Sequence, residues 1–407
     1  MTEANAARTE YNSTYSWLRL AVALLLSTIG GVGMWSVVVA LPNVQAEFGV
    51  ARGDASLPYT LTMIGFGIAS IVMGRLADRI GIFIPLIIGG IALALGFFAA
   101  SRAASIGQFT LTQGVLIGVG SSVTFAPLLA DTSLWFIRKR GLAVGIFASG
   151  SYLAGTIWPP ILAHFMQTGG WRETYLGVAL FCLLTMLPLA LVLRRRPPAP
   201  PVTAGVSQRA AAQPHPLGLP PAILQVLLVI AGLSCCVAMS MPQVHIIAYC
   251  GDLGYGPARG AQMLSLMLAC GIVSRLTFGW ISDRIGGLRT LLLGSGLQAL
   301  GLLLFVPFDG LASLYLISAL FGLFQGGIVP SYAIIVREFF PAKEAGARIS
   351  IVITATLFGM ALGGWMSGVI FDWLGSYRAA FINGVAWNLL NIVIAGWLLR
   401  RSGWRLR

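Results

Sequence analysis

Arg275 stands in the middle of the apolar stretch Leu264–Trp280. Placing an arginine at the centre of a membrane-spanning helix costs roughly 2.5–3.5 kcal/mol on insertion scales, so such residues mark substrate or ion pathways. A guanidinium offers a planar fork of donors matched to a carboxylate, and in a low-dielectric cavity that charge-assisted pair is strong. One buried positive charge suits a monoanion, because a second carboxylate would be left unpaired. The competing reading is that Arg275 snorkels to the membrane face or bonds backbone carbonyls. Around it, Tyr332, just after Pro330, and Gln325 could donate hydrogen bonds to an anion, and Trp35, beside Gly30, Gly31 and Gly33, could form an apolar wall where its helix is free to bend. Ser122, Ser149 and Tyr152 are further candidates to line such a site, although hydroxyls in membrane helices more often serve interhelical packing. His245 is the candidate proton carrier, since imidazole titrates near physiological pH. The alternative is an interfacial histidine that hydrogen-bonds a neighbouring helix.

The elements that must position these residues follow from composition. The chain of 407 residues is 57% hydrophobic and 10% charged, with a mean hydropathy of +0.85, which is the make-up of a polytopic membrane protein. Twelve apolar runs, each near the length of a spanning helix, are separated by short polar loops. The runs are continuous and Gly-rich, not alternating, so an all-α bundle is expected rather than a β-barrel. A triple arginine and a Pro-rich segment break the chain once. The predicted organisation is therefore an N-terminal six-helix half over 1–193, a linker over 194–221 and a C-terminal six-helix half over 222–407.

Charge placement gives the orientation. One set of loops and termini holds most of the 26 basic residues, and the opposite loops hold only Arg52, Arg102, Arg172, Arg259 and Arg378. The positive-inside bias then puts both termini and the linker in the cytoplasm, with the protein multi-pass in the cytoplasmic (inner) membrane. Anionic membrane lipids account for the net charge of +13 as partners, and nucleic acid is not expected. The polar first residues and long first run predict no cleavable leader. The five cysteines lack metal-ligand spacing, and no phosphate loop or catalytic triad is present, so no metal, no cofactor and no enzymatic activity are expected.

The two halves repeat one another. Gly74-Arg-Leu-Ala-Asp78-Arg79-Ile-Gly81, after helix 2, recurs 205 residues later as Gly279-Trp-Ile-Ser-Asp283-Arg284-Ile-Gly286, after helix 8. Trp171-Arg172 before helix 6 recurs as Tyr377-Arg378 before helix 12, at an offset of 206. Two six-helix halves of common origin are implied. The paired Gly-x-x-x-Asp-Arg-x-Gly loops resemble the signature of the major facilitator superfamily, and the resemblance covers the whole chain. Trp135-Phe136-Ile-Arg138-Lys139-Arg140-Gly141 leading into Ala148-Ser149-Gly150-Ser151, with Arg275 four residues before Gly279, is similar to the monocarboxylate transporter family. The resemblance implies alternating access, with Gly74, Asp78 and Arg79 and the pair Asp283 and Arg284 as a cytoplasmic gate. It departs from the family's better-known animal members in two places: Gly271 stands where they carry an Asp one turn before the helix 8 Arg, and helix 1 holds no Lys. The expectation is a secondary transporter, working as a monomer, that moves a small monocarboxylate such as lactate or pyruvate, with protons as a candidate co-substrate. The alternatives are an exchanger or exporter of larger amphipathic or di-acidic compounds, or a membrane ligand sensor.

Overall fold

In the computed structural model of the protein, residues 11, 13–136, 139–196 and 217–402 are described. Among them, eleven helical stretches are long and apolar enough to cross a membrane: Thr14–Phe48 (α1), Arg52–Ile80 (α2), Phe83–Ser101 (α3), Ile106–Leu134 (α4), Leu142–Val192, Pro221–Asp252 (α7), Pro257–Ile285 (α8), Gly287–Leu304 (α9), Leu311–Phe339 (α10), Glu344–Leu374 (α11) and Tyr377–Arg401 (α12). Leu142–Val192 holds two passes end to end, α5 and α6, parted at Gly170 (φ 82°, ψ 161°). Essentially only glycine enters that region of backbone space. Twelve membrane passes are therefore present among the described residues.

Two passes are interrupted where glycines stand. α1 breaks at Gly31 between Thr14–Gly30 and Val32–Phe48. α10 breaks at Gly326 and Gly327 between Leu311–Gln325 and Ile328–Phe339. α4 carries a π-helical turn over Thr112–Gly118, a local irregularity often seen at functional sites.

The helices run further than hydropathy alone indicates. The segment after helix 2, read from the sequence as a loop, is helical through Ile80, with Gly74 inside the helix, and turns only at Gly81 (φ 90°). Its repeat is helical through Ile285 and turns at Gly286 (φ 82°). The charged Asp78-Arg79 and Asp283-Arg284 lower the hydropathy without interrupting the backbone hydrogen bonds, so the apolar run ends a full turn or more before the helix does.

The chain forms two compact units, Met1–Gly49 with Leu57–Val206, and Val50–Ser56 with Ser207–Arg407. Most of the expected linker, 197–216, lies outside the described residues. In the first unit, glycine lets helix backbones meet: a Cβ on Gly118 would lie 2.8 Å from the Thr62 carbonyl oxygen, and one on Gly120 would lie 2.6 Å from the Leu93 nitrogen. In the second, α8 and α10 meet in the same way through Gly326, whose Cβ would lie 2.6 Å from the Gly271 carbonyl oxygen. Small residues are what allow membrane helices to pack at such range. The two units also share an end arrangement. Arg172 donates to Glu47 at the end of α1 (Nη2–Oε1 2.6 Å), and Arg52 donates to Asp252 at the end of α7, 205 residues after Glu47.

Candidate functional site

Within the second unit, Arg275 is half-buried on α8. The preceding residue, Ser274, is fully buried and its Oγ accepts the Gly326 N–H at 3.1 Å, inside the break of α10. Phe278, one turn on, fills the space beside Gly327, where no side chain would fit. Arg275 therefore sits at the level where α10 is interrupted and the Gly326 amide is turned toward α8. Gln325, the residue before the break, is fully buried; its Oε1 accepts from Gln243 Nε2 of α7 at 3.0 Å, and its own Nε2 has no protein acceptor. A buried amide donor without a partner costs about 1–3 kcal/mol, so this position favours an acceptor.

Tyr332 has its hydroxyl committed. It donates to Asn391 Oδ1 at 2.9 Å, and Asn391 Nδ2 donates to Ser295 Oγ at 2.7 Å. Asn388 Nδ2 donates to the Ser295 carbonyl at 2.7 Å, and Gln298 Nε2 to the Cys235 carbonyl at 3.0 Å. This chain of buried amides ties α9, α10 and α12 together, and Gln298 extends it to α7. Tyr332 is at its start and is fully buried.

His245 lies in a second polar cluster of the same unit. Its Nε2 is 2.7 Å from the Gly364 carbonyl oxygen and must donate there; its Nδ1 is 3.0 Å from Tyr377 Oη. Tyr377 Oη accepts from Arg52 Nη1 at 2.7 Å, which leaves the Tyr377 proton to be donated to Nδ1. Arg52 also forms a two-pronged pair with Asp252 at 3.0 Å on each prong. Asp372 accepts the Arg52 and Gly53 backbone N–H groups at 2.8 and 2.7 Å, capping the first turn of α2. The imidazole thus ends a hydrogen-bonded chain that begins at a carboxylate: Asp252, Arg52, Tyr377, His245, Gly364. Loading a second proton on the ring requires Tyr377 to turn its hydroxyl elsewhere.

In the first unit Trp35 and Tyr152 are buried, at 5% and 9% exposure. The hydroxyls of Ser122 and Ser149 donate to carbonyls of their own helices, Val119 at 2.7 Å and Gly145 at 3.1 Å. Asp131, near the end of α4 where the sequence favours a cap or a salt bridge, is paired in this unit with a partner the sequence does not name: Arg19 Nη2 and Asp131 Oδ2 are 2.7 Å apart, with side chains 3% and 9% exposed. Arg19 also donates to Tyr15 Oη and to the Arg195 carbonyl, and lies over the Trp135 ring at 4.3 Å. Asp78, Arg79, Asp283 and Arg284 are exposed, and the Arg284 guanidinium lies over Trp280 at 3.6 Å. Among the described residues, no cluster of three or more His, Cys, Asp or Glu could hold a metal.

Twelve apolar passes, two repeated six-helix units, broken helices and a half-buried arginine at one of the breaks define a multi-pass membrane protein of the transporter class. The profile of the Major Facilitator Superfamily matches residues 23–313 and 252–403, and the chain belongs to that superfamily. It is 25% identical over 404 residues to the MFS-type transporter opdF of Penicillium oxalicum, covering 96% of this chain and 92% of the relative. It is 28% identical over 339 residues to monocarboxylate transporter 13 of Rattus norvegicus, covering 81% and 75%. Among solved structures, an inward-facing, occupied bacterial homologue of the human lysosomal transporter Spinster superposes with a TM-score of 0.74, at 14% identity over 96% of this chain and 98% of that one. That likeness shows the fold.

Proposed function

We propose that the protein is a secondary active transporter of a small organic anion, a monocarboxylate such as lactate or pyruvate, working by alternating access as a monomer in the cytoplasmic (inner) membrane with both termini inside. The observation that carries the reading is Arg275, a half-buried guanidinium in the middle of an apolar helix, level with the break in α10. Such a cation is matched by a planar monoanion, and the unpaired Gln325 amide, next to Gly326 whose N–H bonds Ser274, supplies a neutral donor. The 28% identity to a monocarboxylate transporter agrees with that substrate class. Trp35, Tyr152, Ser149 and Ser122 are proposed to shape the substrate path from the first unit, and Tyr332 to hold α10 in place from the second. Proton symport would use His245, through the Tyr377 and Arg52 chain. Asp78, Arg79, Asp283 and Arg284, with Gly74, are proposed to gate the cytoplasmic side.

A second reading has its own support. The chain is 25% identical over 328 residues to the Agnestins efflux protein AgnL12 of Paecilomyces divaricatus, covering 79% of this chain and 73% of the relative. On that reading the substrate is larger and leaves the cell.

Uptake into proteoliposomes separates the two. Labelled lactate and pyruvate are expected to enter saturably, faster under an inward proton gradient, whereas the uncharged amide of lactate is not carried. Uptake of every short acid at the rate of empty liposomes contradicts the monocarboxylate reading and leaves the exporter.

A further inference from the structure

Glu47 and Asp252 occupy corresponding positions of the two repeats, yet they hold different cations. In the first unit Glu47 takes its donors from the start of α6: Trp171 Nε1–H donates to Oε2, and Arg172 Nε donates to Oε1 at 2.9 Å. The corresponding residues of the second unit are Tyr377 and Arg378, at the start of α12. Asp252 is bonded to neither. Arg378 lies 3.8 Å from Asp309, with both side chains more than half exposed, and such a pair contributes little. Arg52 holds Asp252 instead, by its two prongs.

That seat leaves one donor over, since Arg52 Nε is buried without an acceptor. Nη1 donates to both Asp252 Oδ2 and Tyr377 Oη, so the carboxylate and the phenol flank a single nitrogen. Tyr377 gives its own proton to His245 Nδ1. A second ring proton would sit on Nδ1 and need Tyr377 Oη as its acceptor. The oxygen would then receive two cations at once, which repel. The other groups around the ring do not change this. α11 brings Asp372, already occupied by two backbone N–H groups, and α7 itself brings Tyr249, whose ring packs edge-on against Tyr377. α8 meets this stretch of α7 through Gly260 and through Met263, which accepts from Cys250, and neither of the two titrates.

We propose that Arg52 is the positioning residue of proton coupling: its guanidinium and a second proton on His245 exclude one another at Tyr377 Oη, and Asp252 exchanges Arg52 for Arg378 when the proton binds. The inference rests on the reading of His245 as the proton carrier. The first unit displays the exchanged arrangement. There the imidazolium Nδ1–H donates to Tyr377 Oη, the phenol turns its own proton to Asp252 as Trp171 turns its N–H to Glu47, and Arg378 closes on Asp252 as Arg172 does on Glu47. One proton enters at Nδ1 and none leaves; the Tyr377 proton changes only its acceptor. The backbone of Arg52 stays in place, because Asp372 holds the Arg52 and Gly53 N–H groups whatever the side chain does. The displaced guanidinium keeps a seat over the Phe371 ring, from which it is already 4.7 Å.

Nitrogen NMR of the full-length protein in detergent, with isotope-labelled histidine, reads the ring directly; the His245 signal is the one absent from His245→Gln. At a pH of about 6, within the ordinary range of imidazole, the ratio of doubly to singly protonated ring is expected to rise roughly 10-fold in Arg52→Gln, the effect of removing one neighbouring like charge. Arg52→Lys, which keeps the charge, should return it to the native ratio. Arg378→Gln should lower it, because Asp252 then has no second cation. Buried thiols that stay unreactive verify the fold of each variant. In proteoliposomes, the gain in lactate uptake from an inward proton gradient should vanish in Arg52→Gln. An unchanged ring ratio in folded Arg52→Gln, or one as high in Arg52→Lys as in Arg52→Gln, overturns the exclusion; a native ratio in Arg378→Gln overturns the exchange of partners. If the native protein carries no lactate, the substrate reading fails and the ring ratios alone decide the exchange.

Discussion

Asp131→Asn is expected to destabilise the first unit by about 3–5 kcal/mol, because it removes the charge from one side of a buried ion pair and leaves the other in place. Arg19 is 3% exposed, and after the change its neighbours are the Tyr15 hydroxyl, the Arg195 carbonyl, the Trp135 ring and a neutral amide. These acceptors orient the guanidinium without balancing it. Replacing both partners, Arg19→Met with Asp131→Leu, should restore most of the loss, since neither charge then has to be desolvated. The buried thiols of Cys182, Cys235, Cys236 and Cys250 give the readout: their reaction with a thiol-specific dye on heating reports unfolding in detergent. A fall in midpoint of roughly 5–15 °C is expected for the single variant. A midpoint unchanged in Asp131→Asn, or lower still in the double variant, would show that the pair does not hold this end of the unit.

Gly322→Val should have a comparable effect on the second unit. A Cβ at this position would overlap the Met267 carbonyl oxygen and lie 2.8 Å from its carbon and 3.1 Å from Cys270 Cβ. Two of those atoms are backbone, so no rotamer relieves the contact. Gly326 and Gly327 continue the same face of α10 against Gly271, Ser274 and Phe278, which is why α10 can break there and remain packed. Forcing α10 away from α8 is expected to cost about 3 kcal/mol, the upper end of ordinary overpacking. It also displaces Gln325 and the Ser274 contact beside Arg275, so transport should fall more steeply than stability. Gly279→Ala is the control: a Cβ there meets nothing within 4 Å, and stability should hold or rise slightly with the better helix former. Equal losses in the two variants would remove the close approach as the cause.

Hydropathy and repetition carried most of the architecture into the sequence. The twelve runs, the paired Gly81 and Gly286 turns, and the corresponding Trp171 and Tyr377 are local features, so a single pass along the chain finds them. What stayed hidden depends on pairing across distance. Arg52 reads as one more basic residue in an outer loop, yet it is 7% exposed because Asp252 and Tyr377, 200 and 325 residues away, close around it. Arg19 was counted with the cytoplasmic charges for the same reason, its partner being 112 residues on. Tyr332 looked like a free donor next to Pro330, and nothing local in its helix indicates that Asn391 takes its proton. Arg275 differs from these because its signal is a charge inside an apolar run, which needs no partner to be noticed.

That residue also carries the central claim, and the most direct measurement is counterflow of labelled lactate into proteoliposomes preloaded with unlabelled lactate. Counterflow needs no driving gradient, so it isolates anion recognition from proton coupling. Native protein is expected to accumulate label transiently, Arg275→Lys to retain a weaker response because it keeps the charge without the planar fork, and Arg275→Gln to give none while melting like the native protein. Counterflow of native size in a folded Arg275→Gln would contradict the account, since the anion would then be bound by something other than this guanidinium.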